Sequence, residues 1–328
     1  MSAGQNETSK PRLLVLIGPT AIGKTRMSLE IAKAWNAEII SGDSMQVYKG
    51  MDIGTAKIRE EEREGIPHHL IDICEPDYPF SVAEFQERCG ELIRDITARG
   101  KLPFIVGGTG LYVESVAYGY EFPDSGSDEA YREEQLQYAA EYGAEALHEK
   151  LRAVDPESAQ RLHPNDQRRV IRALEVHHLT GMTLSAQLAG QKKTSPYELC
   201  IIGLSMERQA LYDRINKRVD AMIEEGLVEE VRRLLGSGVS GDCVAMQGLG
   251  YKEIALFLKQ QLPLEDAVEL LKRDTRRFAK RQLSWFRRMH DIVWVESSEN
   301  FHKNLLLIHA IIAGKFRVDL EYPTNQSF

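Results

Sequence analysis

The sequence predicts an α/β fold with a largely parallel sheet, interrupted once by a helical insertion. Three observations predict it. Short apolar runs alternate with helical text through the first third of the chain. A glycine-rich turn joins the first run to the first helix. Strand-like text then stops between residues 119 and 195. With 328 residues and 43% hydrophobic content, the chain can bury one large core plus an inserted lobe.

"RLLVLI" (12–17) is a continuous apolar run, as expected of a strand buried on both faces. A helix is expected from about Lys24 to Trp35, and "AEIIS" (37–41) reads as a second strand. "HLIDI" (69–73) reads as a third and "LPFIVGG" (102–108) as a fourth, after the helix "SVAEFQERCGELIRDITARG" (81–100). Ser81 is the expected cap of that helix, with Glu84 completing a capping box and Gly100 ending it. After Tyr118 the text is helical, acidic and polar, and strands resume at "LCIIGLSM" (199–206) and "DIVWVE" (291–296). The expected organisation is a core of residues 10–118 and 196–320, a helical insertion over 119–195, and loose termini at 1–9 and 321–328.

Composition narrows the function classes. Net charge is −8, which argues against indiscriminate nucleic-acid binding but not against a local basic site. Residues 121–157 hold 11 acidic against 3 basic residues, whereas 272–288 hold 8 basic against 1 acidic. No apolar run approaches the roughly 20 residues of a membrane span. "MSAGQNETSKPR" lacks the apolar core of a signal peptide. A cytoplasmic protein without a membrane partner is expected, acting as a monomer. Cys74, Cys89, Cys200 and Cys243 stand far apart with no C-x-x-C pair, so reduced thiols are expected rather than zinc ligands. His68-His69 and His177-His178 lack metal-ligand partners at helical spacing.

Gly18-Pro-Thr-Ala-Ile-Gly23-Lys24-Thr25 matches G-x-x-x-x-G-K-[ST], with a strand before it and a helix after. The glycines let backbone N–H groups converge on phosphate oxygens, and the helix N-terminus adds partial positive charge. Lys24 supplies a point charge, and the Thr25 hydroxyl can ligate magnesium. The expected fold is thus P-loop NTPase-like, of the nucleotide-kinase type. The loop specifies a polyphosphate, not adenosine. ATP- and GTP-hydrolysing relatives also carry an apolar strand ending in Asp. Here the strongest later strand runs into "VGGTGLY" (106–112), and Asp72 of "HLID" is only a weak substitute. That favours a small-molecule kinase, or a transferase whose leaving group is diphosphate.

Ligands of open α/β sheets bind beyond the carboxyl ends of the strands. Asp43, just past the second strand, suits a magnesium-water ligand or a general base, and equally a turn-forming aspartate. Thr109 offers a hydroxyl in "GGTGLY", which a tight strand-to-helix turn explains as well. In "HPNDQRRVIRALEV", Arg168, Arg169 and Arg172 crowd five residues. Glu157 and Glu175 can satisfy part of that charge, and an anion contact is expected for the rest. In "KRDTRRFAKRQLSWFRR", Leu271, Phe278 and Trp285 form an apolar stripe at spacing seven. Lys272, Arg273, Arg276, Lys280 and Arg287 fall opposite, a cationic face suited to a nucleic-acid backbone.

Taken together, these segments resemble the bacterial tRNA dimethylallyltransferases, the MiaA family, over about residues 12–318. The resemblance is carried by "GPTAIGKT", "SGDSMQVYKGMDIGTAK", "PHHLID", "VGGTGLY", "HPNDQRRVIRALEV", "DRINKRVDAMIEEGLVEEV", "QGLGYKE" and "TRRFAKRQLSWFRR". The family more often has Ser at Ile22 and Ala at Gly42; neither departure removes a reactive group. The resemblance implies transfer of a dimethylallyl group from dimethylallyl diphosphate to N6 of the adenosine 3′ of the anticodon, position 37, with magnesium as cofactor. It implies a diphosphate site of Gly18, Thr20, Ala21, Ile22, Gly23, Lys24, Thr25 and Arg218, with Thr25 on the metal. It assigns Asp43 as general base, with Thr109 and Lys24 assisting at the reacting centre.

Contacts to the tRNA anticodon stem-loop are implied for Asp43, Ser44, Met45, Gln46 (which helps hold the flipped adenine) and Thr109. Further implied contacts are Arg132, then Gln167, Arg168, Arg169, Val170 and Ile171. Gln247, Gly248, Gly250, Tyr251 and Lys252 follow, and last Arg276, Arg277, Lys280 and Arg281. Two readings compete. A small-molecule kinase explains the loop and Asp43 but leaves the arginines idle. A nucleotide-switched RNA-binding module needs no reacting base at Asp43.

Overall fold

The computed structural model describes residues 10–122, 126–191, 194–297 and 300–318. The expected loose termini, 1–9 and 321–328, lie outside the described residues. By contact the chain forms two compact units, Met1–Tyr118 with Ser195–Phe328, and Gly119–Thr194.

The first unit begins with β1 (Arg12–Ile17), α1 (Lys24–Ala34), β2 (Ala37–Gly42), β3 (His68–His69), α2 (Val82–Ala98), β4 (Leu102–Gly107) and α3 (Gly110–Ala117). The second unit is α4 (Glu129–Tyr142), α5 (Ala144–Val154), α6 (Pro156–Arg161), α7 (Gln167–Thr180) and α8 (Leu184–Ala189). The chain then returns to the first unit with β5 (Glu198–Ser205), α9 (Arg208–Glu224), α10 (Leu227–Gly236), α11 (Tyr251–Leu258), α12 (Leu264–Phe286), β6 (Ile292–Glu296) and α13 (Phe301–Phe316).

The six strands pair in the order β3-β2-β4-β1-β5-β6, every pair parallel. Parallel strands need helical crossovers that cover the sheet, so central strands must be apolar on both faces. β1 and β2 meet that demand: Leu13 to Ile17 and Ala37 to Gly42 are all buried. Leu14, Leu16, Phe104 and Ile202 from the sheet pack with Ile31, Ile215, Ile308 and Phe316 from the helices. This is the P-loop NTPase-like arrangement that the motif order predicts.

Two expectations need correction. The strand expected over 69–73 is only His68–His69, because Leu70 and Asp72 take positive φ values of 58° and 56° and turn the chain out of the sheet. Ser81 does cap α2, accepting from the Glu84 amide at 3.1 Å. The Glu84 carboxylate, however, accepts from Tyr78 Oη at 3.1 Å and from Arg88 rather than closing a box. Gly100 ends the helix as expected, at φ 73°.

The second unit is helical among its described residues and has its own core of Leu147, Leu151, Val170, Ile171 and Leu174. Three of its helix starts, those of α4, α6 and α8, are capped by side chains of the same unit. Asp128 accepts from the Tyr131 amide, Thr183 from the Ala186 amide, and Asp155 from the amides of Ser158 and Ser185. Burial would raise the Asp155 pKa, but these hydrogen bonds outweigh it and hold the carboxyl at about 2.

Candidate functional site

The phosphate loop runs from the end of β1 to α1. A Cβ on Gly18 would lie 3.0 Å from the Leu204 carbonyl, so only glycine lets the loop leave the sheet this closely. Ala21 and Gly23 take φ values of 64° and 100°, which fold the backbone round the entrance of α1. No side chain caps that helix and its first turn holds no acid, so its N-terminal amides remain for an anion. Lys24 Nζ donates to the carbonyls of Gly18 and Pro19, each at 2.9 Å. Burial, and then the Arg218 guanidinium, bring its pKa down to about 8, against the opposing pull of Asp43.

Two cavities share this loop as a wall. The first, of about 410 Å³, is lined by Thr20 to Thr25, by Asp43 and Gln46, and by Arg214, Lys217 and Arg218 of α9. The second, of about 320 Å³, has a more apolar wall that includes Met45, Ile215, Val219, Met222, Leu249 and Leu271. Thr20, Asp43, Thr55, Arg218 and Phe278 line both. The molecule thus sets a cationic compartment directly beside a more apolar one, with a carboxylate at the junction.

Asp43 sits there because β2 ends at Gly42. Its Oδ1 accepts from the Met45 amide at 2.9 Å, a local turn that fixes the carboxylate, so the turn-forming and cleft-facing readings hold together. Thr109, at the start of α3, accepts from the Ser44 amide at 3.0 Å and donates to Ser44 Oγ at 3.3 Å. The two loops meet closely: a Cβ on Gly107 would fall 2.2 Å from the Gly42 carbonyl oxygen. Gln46 Oε1 accepts from Ser41 Oγ at 2.9 Å, and its Nε2 donates to the Thr55 carbonyl at 3.3 Å. Asp72, the weak substitute for a strand-end acid, is paired with Lys57 and does not line the cleft.

The structure also supplies residues that sequence reasoning missed. Gln282 of α12 accepts from the Thr20 amide at 3.0 Å and donates to the Gly108 carbonyl at 2.9 Å, bracing the phosphate loop against the β4 loop. It stood unnoticed among the basic residues, although it lies four residues after Phe278 on the buried side of the helix. Arg214 and Lys217 also line the phosphate cavity. The spacing of Arg214 and Arg218, four residues apart on one helix, was the available signal. The apolar stripe of α12 is corrected too. Its buried residues are Ala267, Leu271, Ala279, Gln282 and Phe286, while Phe278 lines the cleft and the Trp285 indole donates to Glu114 at 2.8 Å. The cationic face is partly engaged within the unit: Lys272 pairs with Asp220, Arg273 and Arg277 pair with Asp274, and Arg276 donates to the neutral Asn216 amide. Lys280, Arg281 and Arg287 stay exposed, and Arg281 lines the second cavity.

Gln247, Gly248, Gly250 and Lys252 line the second cavity. Tyr251 also borders it, but the residue is fully buried and its hydroxyl donates to Glu230 at 2.7 Å, so it offers no edge to an RNA. In the helical unit, Val170 and Ile171 are core residues, which leaves Gln167, Arg168 and Arg169 of that run with surface. Asp166, before α7, makes no side-chain cap; its carboxylate lies 3.4 Å from Arg169 Nε. Arg132 and Arg172 both converge on Glu175, which is buried and also accepts from the Asp128 amide at 2.8 Å.

Comparison with known proteins agrees with this geometry. The chain matches the family model described as IPP transferase over residues 46–289, and the one described as isopentenyl transferase over residues 11–73. It is 54% identical over 310 residues to the tRNA dimethylallyltransferase of Geobacillus thermodenitrificans (strain NG80-2), covering 94% of this chain and 98% of that one. It is 53% identical over 312 residues to the Bacillus cereus protein of the same name, covering 95% and 98%. Among solved structures it resembles the full-length tRNA isopentenylpyrophosphate transferase of Bacillus halodurans, with a TM-score of 0.72 and 50% identity over 94% of this chain and 97% of that one. A eukaryotic dimethylallyltransferase crystallised acting on tRNA gives a TM-score of 0.80 at 30% identity, over 95% and 81%. The chain belongs to the tRNA dimethylallyltransferase family.

Proposed function

We propose that this chain transfers the dimethylallyl group of dimethylallyl diphosphate to N6 of the adenosine 3′ of the anticodon, position 37, and releases diphosphate. The observation that carries this reading is the junction of the two cavities at Asp43. The cationic compartment suits a diphosphate, and the apolar one suits a five-carbon chain and an extruded base. A kinase would have no use for the apolar compartment at that point.

The adenine amino group is a poor nucleophile because its lone pair is delocalised into the ring. Held against the allylic carbon, its nitrogen forms the new C–N bond while the C–O bond to diphosphate breaks and that electron pair leaves with the phosphate. Asp43 takes the proton that N6 loses. Lys24, Arg218 and the amides at the start of α1 meet the charge that develops on the leaving group. Thr109 holds the Asp43–Ser44 turn in place, and Gln46, beside Asp43 on the wall of the first cavity, is the side chain assigned to the acceptor base. Exclusion of water from the apolar compartment protects the allylic centre from hydrolysis.

The residues present also fit magnesium. Thr25 and Asp43 both line the first cavity, and no group of three His, Cys, Asp or Glu converges among the described residues. An ion there would be held by Thr25, diphosphate oxygens and water, the ligand set magnesium keeps. It would supply charge neutralisation for the departing diphosphate.

The enzyme is expected to act as a monomer. No described helix is long and apolar enough to cross a membrane, and a tRNA substrate places the work in the cytoplasm. The test is a transfer assay with dimethylallyl diphosphate, magnesium and unmodified tRNA carrying adenosine at position 37. Isopentenylated tRNA is the expected product. Folded protein that instead phosphorylates a metabolite from ATP, or that transfers nothing, overturns the reading.

A further inference from the structure

The segment "MDIGTAK" (51–57) supplies no group to the chemistry above, yet Thr55 and Ala56 line the first cavity and Gly54 and Thr55 line the second. A carboxylate holds it. Glu230 of α10 is 3% exposed. Its Oε2 accepts from the amides of Asp52 at 3.0 Å and Ile53 at 2.8 Å. Its Oε1 accepts from the Gly54 amide at 3.1 Å and from Tyr251 Oη at 2.7 Å. Three successive backbone amides thus close on one anion, as in the nests that bind phosphate, but the anion comes from the chain itself.

Tyr251 completes the arrangement. A Cβ on Gly54 would lie 2.6 Å from its ring, so glycine is required there for the loop to rest on the tyrosine. Burial, and then the neighbouring Glu230 carboxylate, push the Tyr251 phenol far above its ordinary pKa, so it stays a donor. One residue past the clamp, the Thr55 carbonyl accepts from the side-chain amide of Gln46. The phosphate loop hangs on a separate brace, Gln282 between Thr20 and Gly108.

We propose that Glu230, with Tyr251 as its partner, is a positioning residue that fixes the 52–54 backbone so that the Thr55 carbonyl orients Gln46, the residue that the transferase reading sets against the acceptor base. The proposal rests on the transferase reading above. It accounts for the pairing of "MDIGTAK" with "GLGYKE", and gives Tyr251 a role in acceptor binding without contact to RNA.

The test uses the full chain with Glu230→Gln, Tyr251→Phe and, as a control, Glu229→Gln, a 71%-exposed neighbour on α10. The amide of Glu230→Gln must turn its NH₂ towards at least one backbone N–H, which loosens the loop without removing bulk. Glu230→Gln is expected to lower kcat/KM for tRNA by about tenfold or more, and Tyr251→Phe by a smaller factor in the same direction. Dissociation constants for inorganic diphosphate should stay within about twofold of wild type in both. Hydrogen exchange at the amides of residues 52–54 should speed up in both, and Glu229→Gln should behave as wild type.

Wild-type tRNA kinetics in both clamp variants, or unchanged exchange at 52–54, would overturn the proposal. So would a loss of diphosphate affinity in step with the loss of tRNA kinetics. Should Glu230→Gln fail to fold, Tyr251→Phe carries both readouts. A wild-type chain that transfers nothing sinks the transferase reading instead, and the exchange comparison still decides whether the clamp exists.

Discussion

The phosphate-loop cleft and the helical insertion each gather several basic residues, and they treat them in opposite ways. In the cleft, Lys24, Arg214, Lys217 and Arg218 gather round one cavity whose wall holds a single carboxylate, Asp43. In the insertion, Arg132 and Arg172 are drawn onto the buried Glu175. Burial would raise the Glu175 pKa; Arg172, the Asp128 amide and Arg132 more than reverse that and lower it. One cluster is left positive and so suits an anion. The other is neutralised by the fold and therefore holds helices together. A count of charges in the sequence does not separate the two, because Glu175 is a close neighbour of Arg172 in sequence yet also takes Arg132 from another helix, while the cleft wall, among the described residues, holds no acid besides Asp43.

The largest effect expected from this contrast is at the junction of the cavities. Asp43→Asn keeps the side chain's size but cannot take a proton from N6. Transfer should fall by about 10²–10⁴-fold while tRNA binding, measured by filter retention or anisotropy, persists. Transfer near the wild-type rate would remove Asp43 from the role of base and make the cleft's one acid a charge-balancing group.

Lys24 comes next. Lys24→Met should weaken diphosphate binding by about ten- to a hundredfold. The pH dependence has two opposite signs. The folded pKa of about 8 lies below the ordinary 10.5, so between those values the unfolded chain binds more protons and stability rises with pH. Over the same interval the folded lysine loses its charge, so diphosphate affinity should fall as pH passes about 8. Urea unfolding and diphosphate titration at several pH values read the two slopes, and both should vanish in Lys24→Met. Slopes that survive the substitution would show that another group titrates in the cleft.

Much of this site was legible in the sequence, for local reasons. A phosphate loop needs fixed glycine spacing between a buried strand and a helix, so Gly18, Gly23 and Lys24 announce themselves. Asp43 is legible because a short polar residue after a parallel strand must emerge at the ligand edge. Gln282 and Glu230 were not legible, since each acts on backbone atoms more than 170 residues away in sequence, and backbone leaves no mark in residue identity. The α12 stripe failed for a related reason. A spacing of seven selected Leu271, Phe278 and Trp285, but the packed face also accepts Ala279 and Gln282, where small size and hydrogen bonding replace apolarity. Val170 and Ile171 belong to the motif that the resemblance links to tRNA, but a helix in contact with RNA must still bury its inner face, and both are core residues.

The smallest effects should separate the arginines of the insertion. Arg168 and Arg169 project from the start of α7, and Arg169 is 70% exposed with only a 3.4 Å approach to Asp166. If this surface meets the RNA backbone, the double change Arg168→Gln and Arg169→Gln should raise KM for tRNA by about two- to tenfold and reduce its salt dependence. Melting should be unaltered, because neither side chain is packed. Arg132→Gln should do the reverse. It removes one of two guanidinium partners from a buried carboxylate, which should cost about 1–3 kcal/mol of stability with little change in the salt dependence of tRNA binding. The comparison breaks if Arg132→Gln lowers tRNA affinity while leaving unfolding untouched. In that case Glu175 does not neutralise the guanidinium but aims it, and the insertion's buried acid becomes a presenter of charge rather than a sink for it.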